Sequence, residues 1–200
     1  MRVYTLLLAG ICILIFMLQI IIPGFTNIFI LNQNSFVEPW RFVSSIFLHN
    51  DITHLIFNLF ALILFGLILE YIIGSKKFLF SFFSAGIFAN LISINFYSSS
   101  LGASGAIFGV IGALTIIKPL MPIWAFGIPM PIFFALVIWA VSDILMTFMP
   151  TNVGTIAHLS GLFLGLILGL FFREKTKRRA RNKIRISDED LNYWESKYMK

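Results

Sequence analysis

The sequence predicts an all-α membrane protein: a bundle of six transmembrane helices with both termini in the cytoplasm. Three observations carry that prediction. First, 58% of the 200 residues are hydrophobic and only 12% are charged, where a soluble domain carries about 25% charged residues. Second, six apolar runs follow one another, separated by Pro, Gly, Ser or charged residues. Third, of the 15 Lys and Arg, all but Arg41 fall on one side of the bundle that those runs define. Basic residues collect on the cytoplasmic side of a membrane.

The runs are 4–22, 52–73, 78–96, 104–117, 131–149 and 156–172. A helical span needs about 20 apolar residues. Helices are the expected span type, because lipid-exposed backbone must satisfy its hydrogen bonds within the segment. The alternation of a barrel strand is missing. The first run follows Arg2 as a signal peptide would, but it has no small-x-small cleavage site and further spans follow, so it reads as a retained span. The lone Cys12 cannot form an intrachain disulfide. With six runs the even-numbered loops share a side with the termini. That side holds Arg2, Lys76, Lys77, Lys118 and the basic tail.

The chain divides into a membrane domain, 1–172, and a basic cytoplasmic tail, 173–200. The tail's charge, within a net charge of +6, reads as a topology anchor compatible with lipid headgroups rather than as a nucleic-acid arm. Ser187 followed by Asp188, Glu189 and Asp190 suits the start of a short helix with Leu191, Trp194 and Tyr198 on one face.

Polar side chains in apolar spans are costly and mark function or interhelical packing. The second run holds His54, Asn58 and Glu70, the fourth begins at Ser104, the fifth holds Asp143, and the sixth holds His158 and Ser160. From Ser104 to Lys118 a helix rises about 21 Å, short of a hydrocarbon core about 30 Å thick. With Lys118 at the inner border, Ser104 sits roughly 10 Å below the outer surface. The connection 97–103 must descend to reach it, which is tolerated only where protein buries it or it lines a wet cavity. His158 lies about 22 Å from Arg173 by the same ruler, so the hydroxyl and the imidazole share a depth. Such a pair suits a nucleophile and its general base. His54 and Asn58 share one helix face at i and i+4. They offer donors to an oxyanion, as does a helix N-terminus at Ser104. By the ruler, neither Glu70, near the inner end, nor Asp143, mid-span, completes a triad, so a Ser104–His158 dyad is the expected form. The competing readings are plainer. Ser104 can be a helix cap. His54 and Asn58 can be interhelical hydrogen bonds. His49 can brace a loop, and Glu70 and Asp143 can be structural. Gly105, Gly109, Gly161, Gly165 and Gly169 read as positions of close helix approach.

At these residues the sequence resembles the rhomboid family. Gly102-Ala103-Ser104-Gly105 is similar to the family's G-x-S-G nucleophile motif, and Ala157-His158-Leu159-Ser160-Gly161 to its catalytic histidine motif. His49, His54 and Asn58 match an H-x4-H-x3-N pattern, Trp40-Arg41 the Trp-Arg pair of the first external loop, and Glu70 and Gly74 an acid and glycine at the inner end of the second span. The resemblance covers about residues 2–172. It implies an intramembrane serine endopeptidase with Ser104 as nucleophile and His158 as base. His54, Asn58 and the Ser104 N–H would be the oxyanion donors. It implies transmembrane protein substrates in the lipid bilayer, cut where a helix unwinds, at a site opening to the extracytoplasmic side. Phe108 falls where some relatives have a Tyr that packs on the catalytic His; a Phe can still stack there but offers no hydroxyl to hydrogen-bond. No cofactor is implied, and the three His residues lack the H-E-x-x-H pattern of a zinc protease. The Derlin and inactive-rhomboid branches keep the fold without the dyad, and this chain retains both residues. The alternatives are an inactive rhomboid-like binding scaffold and a small transporter. A transporter calls for polar residues through the full depth, whereas these cluster in the outer half. The sequence carries no signal for oligomeric state.

Overall fold

The computed structural model describes residues 3–149, 154–183, 193 and 195–198. The chain is mostly helical. Six helices of 14 residues or more are α1 (Tyr4–Ile21), α4 (Ile52–Ile73), α5 (Ser75–Ser93), α6 (Ser104–Ile117), α7 (Ile132–Thr147) and α8 (Thr155–Lys183). Each corresponds to one predicted run. Three of them, Tyr4–Ile21, Ile52–Ile73 and the Thr155–Arg173 part of α8, are long and apolar enough to cross a membrane. Two short helices, α2 (Phe25–Phe29) and α3 (Arg41–Ser44), build the long connection between α1 and α4. Two antiparallel strand pairs were not predicted: β1 (Leu31–Asn32) with β2 (Ser99–Ser100), and β3 (Pro122–Ala125) with β4 (Ile128–Pro131).

The helix α6 is the axis of the bundle. Its residues are nearly all buried, and it packs on α4, α5, α7 and α8. The surrounding helices turn large apolar side chains outward, among them Ile20, Phe57 and Leu145. Exposed apolar surface on this scale suits lipid, not water.

The α6–α8 pair is the most extensive helix contact, and glycine makes it possible. A Cβ on Gly161 would overlap the Gly105 carbonyl, and one on Gly165 the Gly109 carbonyl. A Cβ on Gly169 would lie 2.9 Å from the Ala113 carbonyl oxygen, too close for a real side chain. The backbones therefore touch, as predicted from the spacing of these glycines.

Buried polar groups join the elements. α1 has no side-chain cap of its own. The Glu70 carboxylate supplies one from α4, accepting the Tyr4 and Thr5 backbone N–H groups, each at 2.9 Å, and the Thr5 hydroxyl at 2.7 Å. An acid at a helix N-terminus satisfies orphan donors and suits the helix dipole. Arg41 is buried, paired with Glu38, and donates to the Asn27 and Ile30 carbonyls. It braces the connection between α1 and α4. His49 does the same: its backbone N–H donates to the Gln19 side chain, which donates back to the His49 carbonyl. Burial pushes the His49 imidazole down to about 4, so it is neutral at pH 7.

The helix α8 runs unbroken to Lys183, so the basic run starts inside a helix and the boundary expected at residue 173 is not a structural break. Tyr193 and residues 195–198 are helical. The Ser187 cap and the Leu191 and Trp194 positions of the expected face lie outside the described residues.

Gly165→Ala should lower thermal stability by about 1–3 kcal/mol, the usual cost of overpacking. Gly10→Ala, where a Cβ meets nothing within 4 Å, should be neutral or better. Thermal melting of the two variants in one detergent makes the comparison. Equal melting temperatures would contradict backbone contact between α6 and α8.

Candidate active site

Three features bring the chain to Ser104. Strand β2 pairs with β1, with Leu31 opposite Ser100 and Asn32 opposite Ser99. The Gly102 N–H donates to the Ser45 carbonyl at 2.9 Å. Gly102 itself has φ +120°, and a Cβ there would sit 2.8 Å from the His54 ring. Only glycine fits that turn. The segment is thus held by the α1–α4 connection before it enters α6.

Ser104 is the first residue of α6. The cap position is Ala103, in helical conformation, with no side-chain cap. The hydroxyl is therefore not spent on capping, contrary to the plainer reading of the sequence. Among the described residues it has no hydrogen-bond partner. It lines a cavity of about 1310 Å³ together with His54, Asn58 and His158. The four residues singled out in the sequence meet in one place. The backbone N–H groups of Ser104 and Gly105 are among those a helix start leaves without helical partners.

The geometry settles what His54 and Asn58 are not. Among the described residues, neither side chain bonds another helix. Asp51 caps α4 by accepting the His54 N–H at 2.8 Å, a bond that holds the Asp51 carboxyl below the usual range. The His54 Nδ1 accepts the Asn50 N–H at 3.4 Å. That leaves Nε2 as the protonated nitrogen, on the side of the ring facing Gly102. The Asn58 amide donates one N–H to the His54 carbonyl at 2.8 Å. Its second N–H is left over for the cavity.

His158 lies in the first turn of α8, its N–H bonded to the Gly154 carbonyl. Its ring stacks on Phe108 with centroids 4.5 Å apart and planes 7° from parallel, as the resemblance allowed. Phe108 is one turn below Ser104 on the same face of α6. Gly105, beside Ser104, packs against the carbonyl of Ala157, beside His158. The glycine contacts thus set the spacing of hydroxyl and imidazole.

One expectation is corrected. The Asp143 carboxylate lies 3.2 Å and 3.4 Å, through its two oxygens, from His158 Nδ1. The sequence reading set Asp143 mid-span and excluded it. The helix α7 stops at Thr147, so Asp143 is one turn from its end, level with the first turn of α8. An acid in an apolar helix was the available signal. Distance along two separate helices could not show that they face each other.

The arrangement unites a hydroxyl without a partner among the described residues, an imidazole with a carboxylate on its Nδ1, and several N–H donors in one cavity. Such a set can perform acyl transfer. The family model for the Rhomboid domain matches residues 37–175. The chain is 32% identical over 158 residues to YdcA of Bacillus subtilis, covering 71% of each chain. It is 27% identical over 184 residues to rhomboid protease GlpG of Haemophilus influenzae, covering 88% of this chain and 93% of the relative. With rhomboid protease GluP of Bacillus subtilis it shares 41% identity over 120 residues, 56% of this chain and 24% of that longer protein.

Proposed function

The chain belongs to the rhomboid family, and from that premise we propose that it is an intramembrane serine endopeptidase working through Ser104 and His158. The observation that carries the proposal is the cavity in which an unpartnered Ser104 hydroxyl and the His158 imidazole stand on two helices in backbone contact. Relatives over most of the chain's length are named as proteases, which supports the same reading.

Ser104 Oγ attacks the substrate carbonyl carbon while His158 takes the hydroxyl proton. The C–O⁻ that forms is held by the Asn58 amide, His54 Nε2–H and the Ser104 backbone N–H. Collapse breaks the C–N bond, and His158 returns the proton to the leaving amine. Water then hydrolyses the acyl-enzyme by the same route. Among the described residues the two side chains share no hydrogen bond, and such a bond often forms only with substrate bound.

The substrates are membrane proteins, cut in or near a spanning helix after local unwinding. Helix-weakening residues near the cut favour that step. The six long helices span the cell membrane, with both termini and the basic tail 173–200 in the cytoplasm and the protease domain in 1–172. The distribution of Lys and Arg supports this orientation, and the cavity then opens to the extracytoplasmic side.

Ser104→Ala and His158→Ala should each abolish cleavage of a model transmembrane substrate without loss of thermal stability, and the double variant should be no worse than either. A fluorophosphonate probe should label the wild type and not Ser104→Ala. Full turnover by Ser104→Ala removes the serine-protease reading.

Asn58→Ala should lower kcat by about 10²-fold or more with little change in KM, because the oxyanion does not exist in the ground state. If Asn58 only braces its own helix, melting temperature falls and kcat holds.

In a Cys12→Ser background, a Cys at Ser99 should react with an impermeant thiol reagent from outside intact cells. A Cys at Thr176 should react only after the membrane is opened. The opposite pattern reverses the orientation.

A further inference from the structure

We infer that Asp143 is a positioning residue for His158, holding the base of the Ser104–His158 pair in its working tautomer; the inference rests on the proteolytic reading above. Asp143 is the only polar partner of the His158 ring among the described residues. Phe108 fixes the plane of the ring but offers no hydroxyl to fix its rotation within that plane. The carboxylate supplies what stacking lacks. It accepts only, so the nitrogen facing it, Nδ1, carries the proton. Nε2 is then left bare as the acceptor for the Ser104 proton. The opposite tautomer would present an N–H to the nucleophile and could not act as its base.

The placement of Asp143 is itself secured. The Thr147 hydroxyl lies 2.8 Å from both the Asp143 carbonyl and the Thr155 hydroxyl, one turn beyond Asp143. The Tyr97 hydroxyl, which accepts the Ile156 N–H at 3.1 Å, holds the same first turn of α8. These contacts tie the end of α7 to the start of α8, so the carboxylate approaches the ring from a fixed direction. Both side chains are close to buried, with His158 13% and Asp143 10% exposed. Their interaction is therefore weakly screened.

In the reaction the proton of Ser104 Oγ passes to His158 Nε2 as the Oγ–C bond forms. The Nδ1 proton stays on the ring, donated to Asp143, which stabilises the imidazolium without taking the proton. On collapse of the intermediate the Nε2 proton leaves with the amine, and the ring returns to its starting tautomer.

The test compares Asp143→Asn and Asp143→Glu with the wild type on a transmembrane substrate, measuring kcat, KM and melting temperature on each preparation. Asp143→Asn keeps the shape and loses the obligatory acceptor. Its kcat should fall by about 10²-fold or more, with KM held and fluorophosphonate labelling of Ser104 slowed in parallel. Asp143→Glu should recover part of the loss. ¹⁵N NMR of the wild type should show His158 protonated at Nδ1 and bare at Nε2, a readout that needs no variant to fold. Wild-type kcat in Asp143→Asn, whatever its melting temperature, or the reverse tautomer in the wild type, overturns the positioning role. Either result leaves the Ser104–His158 reading intact. That reading fails separately, by full turnover in Ser104→Ala.

Discussion

The contact on which the site depends is the one between two helix backbones. At Gly161 and Gly165, α8 approaches α6 so closely that an added methyl would overlap the Gly105 and Gly109 carbonyls. In lipid there is little hydrophobic drive between helices, so close packing of small residues has to supply the association. The same approach sets the distance between Ser104 and His158. Each sits one residue from the Gly105–Ala157 contact. Stability and the proposed chemistry thus share a single interface, and a larger residue in it should disturb both.

Around that interface the protein handles buried polarity by satisfying it from a neighbouring element. Glu70 caps a helix other than its own, Arg41 fills carbonyls of the α1–α4 connection, and Asn90 donates to the Phe42 carbonyl and the Ser45 hydroxyl. Unpaired groups would cost several kcal/mol each in such surroundings. The Ser104 hydroxyl breaks this habit. It is partly accessible and unpartnered while residues around it are bonded. The proposed nucleophile is thus the hydroxyl that the surrounding hydrogen bonds leave free.

The environment also explains how the His158 ring is held without a hydroxyl at position 108. Phe108 provides a face and Asp143 an edge. The two contacts constrain different motions of the ring: stacking limits tilt, and the Nδ1 contact limits rotation and selects the tautomer. Their sources are α6 and α7, so the His158 ring on α8 is oriented from two other helices.

Much of this was legible in the chain itself. Apolar runs predicted the six long helices, because a span must be continuous and apolar over its own length. The start of α6 at Ser104 followed from the shortness of its run, and the glycines of α6 and α8 showed their packing role in their spacing. The four polar residues His54, Asn58, Ser104 and His158 were separable because lipid-compatible sequence contains so few. Other features were decided only by tertiary structure. The two-residue strands β1 and β2 are too short to leave a pattern, and their pairing depends on distant segments meeting. Asn58 turned out to bond its own helix, not a neighbour. Asp143 was misplaced because residue counting measures height along one helix and is blind to which side of it faces another. Sequence determines depth through the 1.5 Å rise; lateral neighbours arise from packing, and only packing put a carboxylate beside the His158 ring.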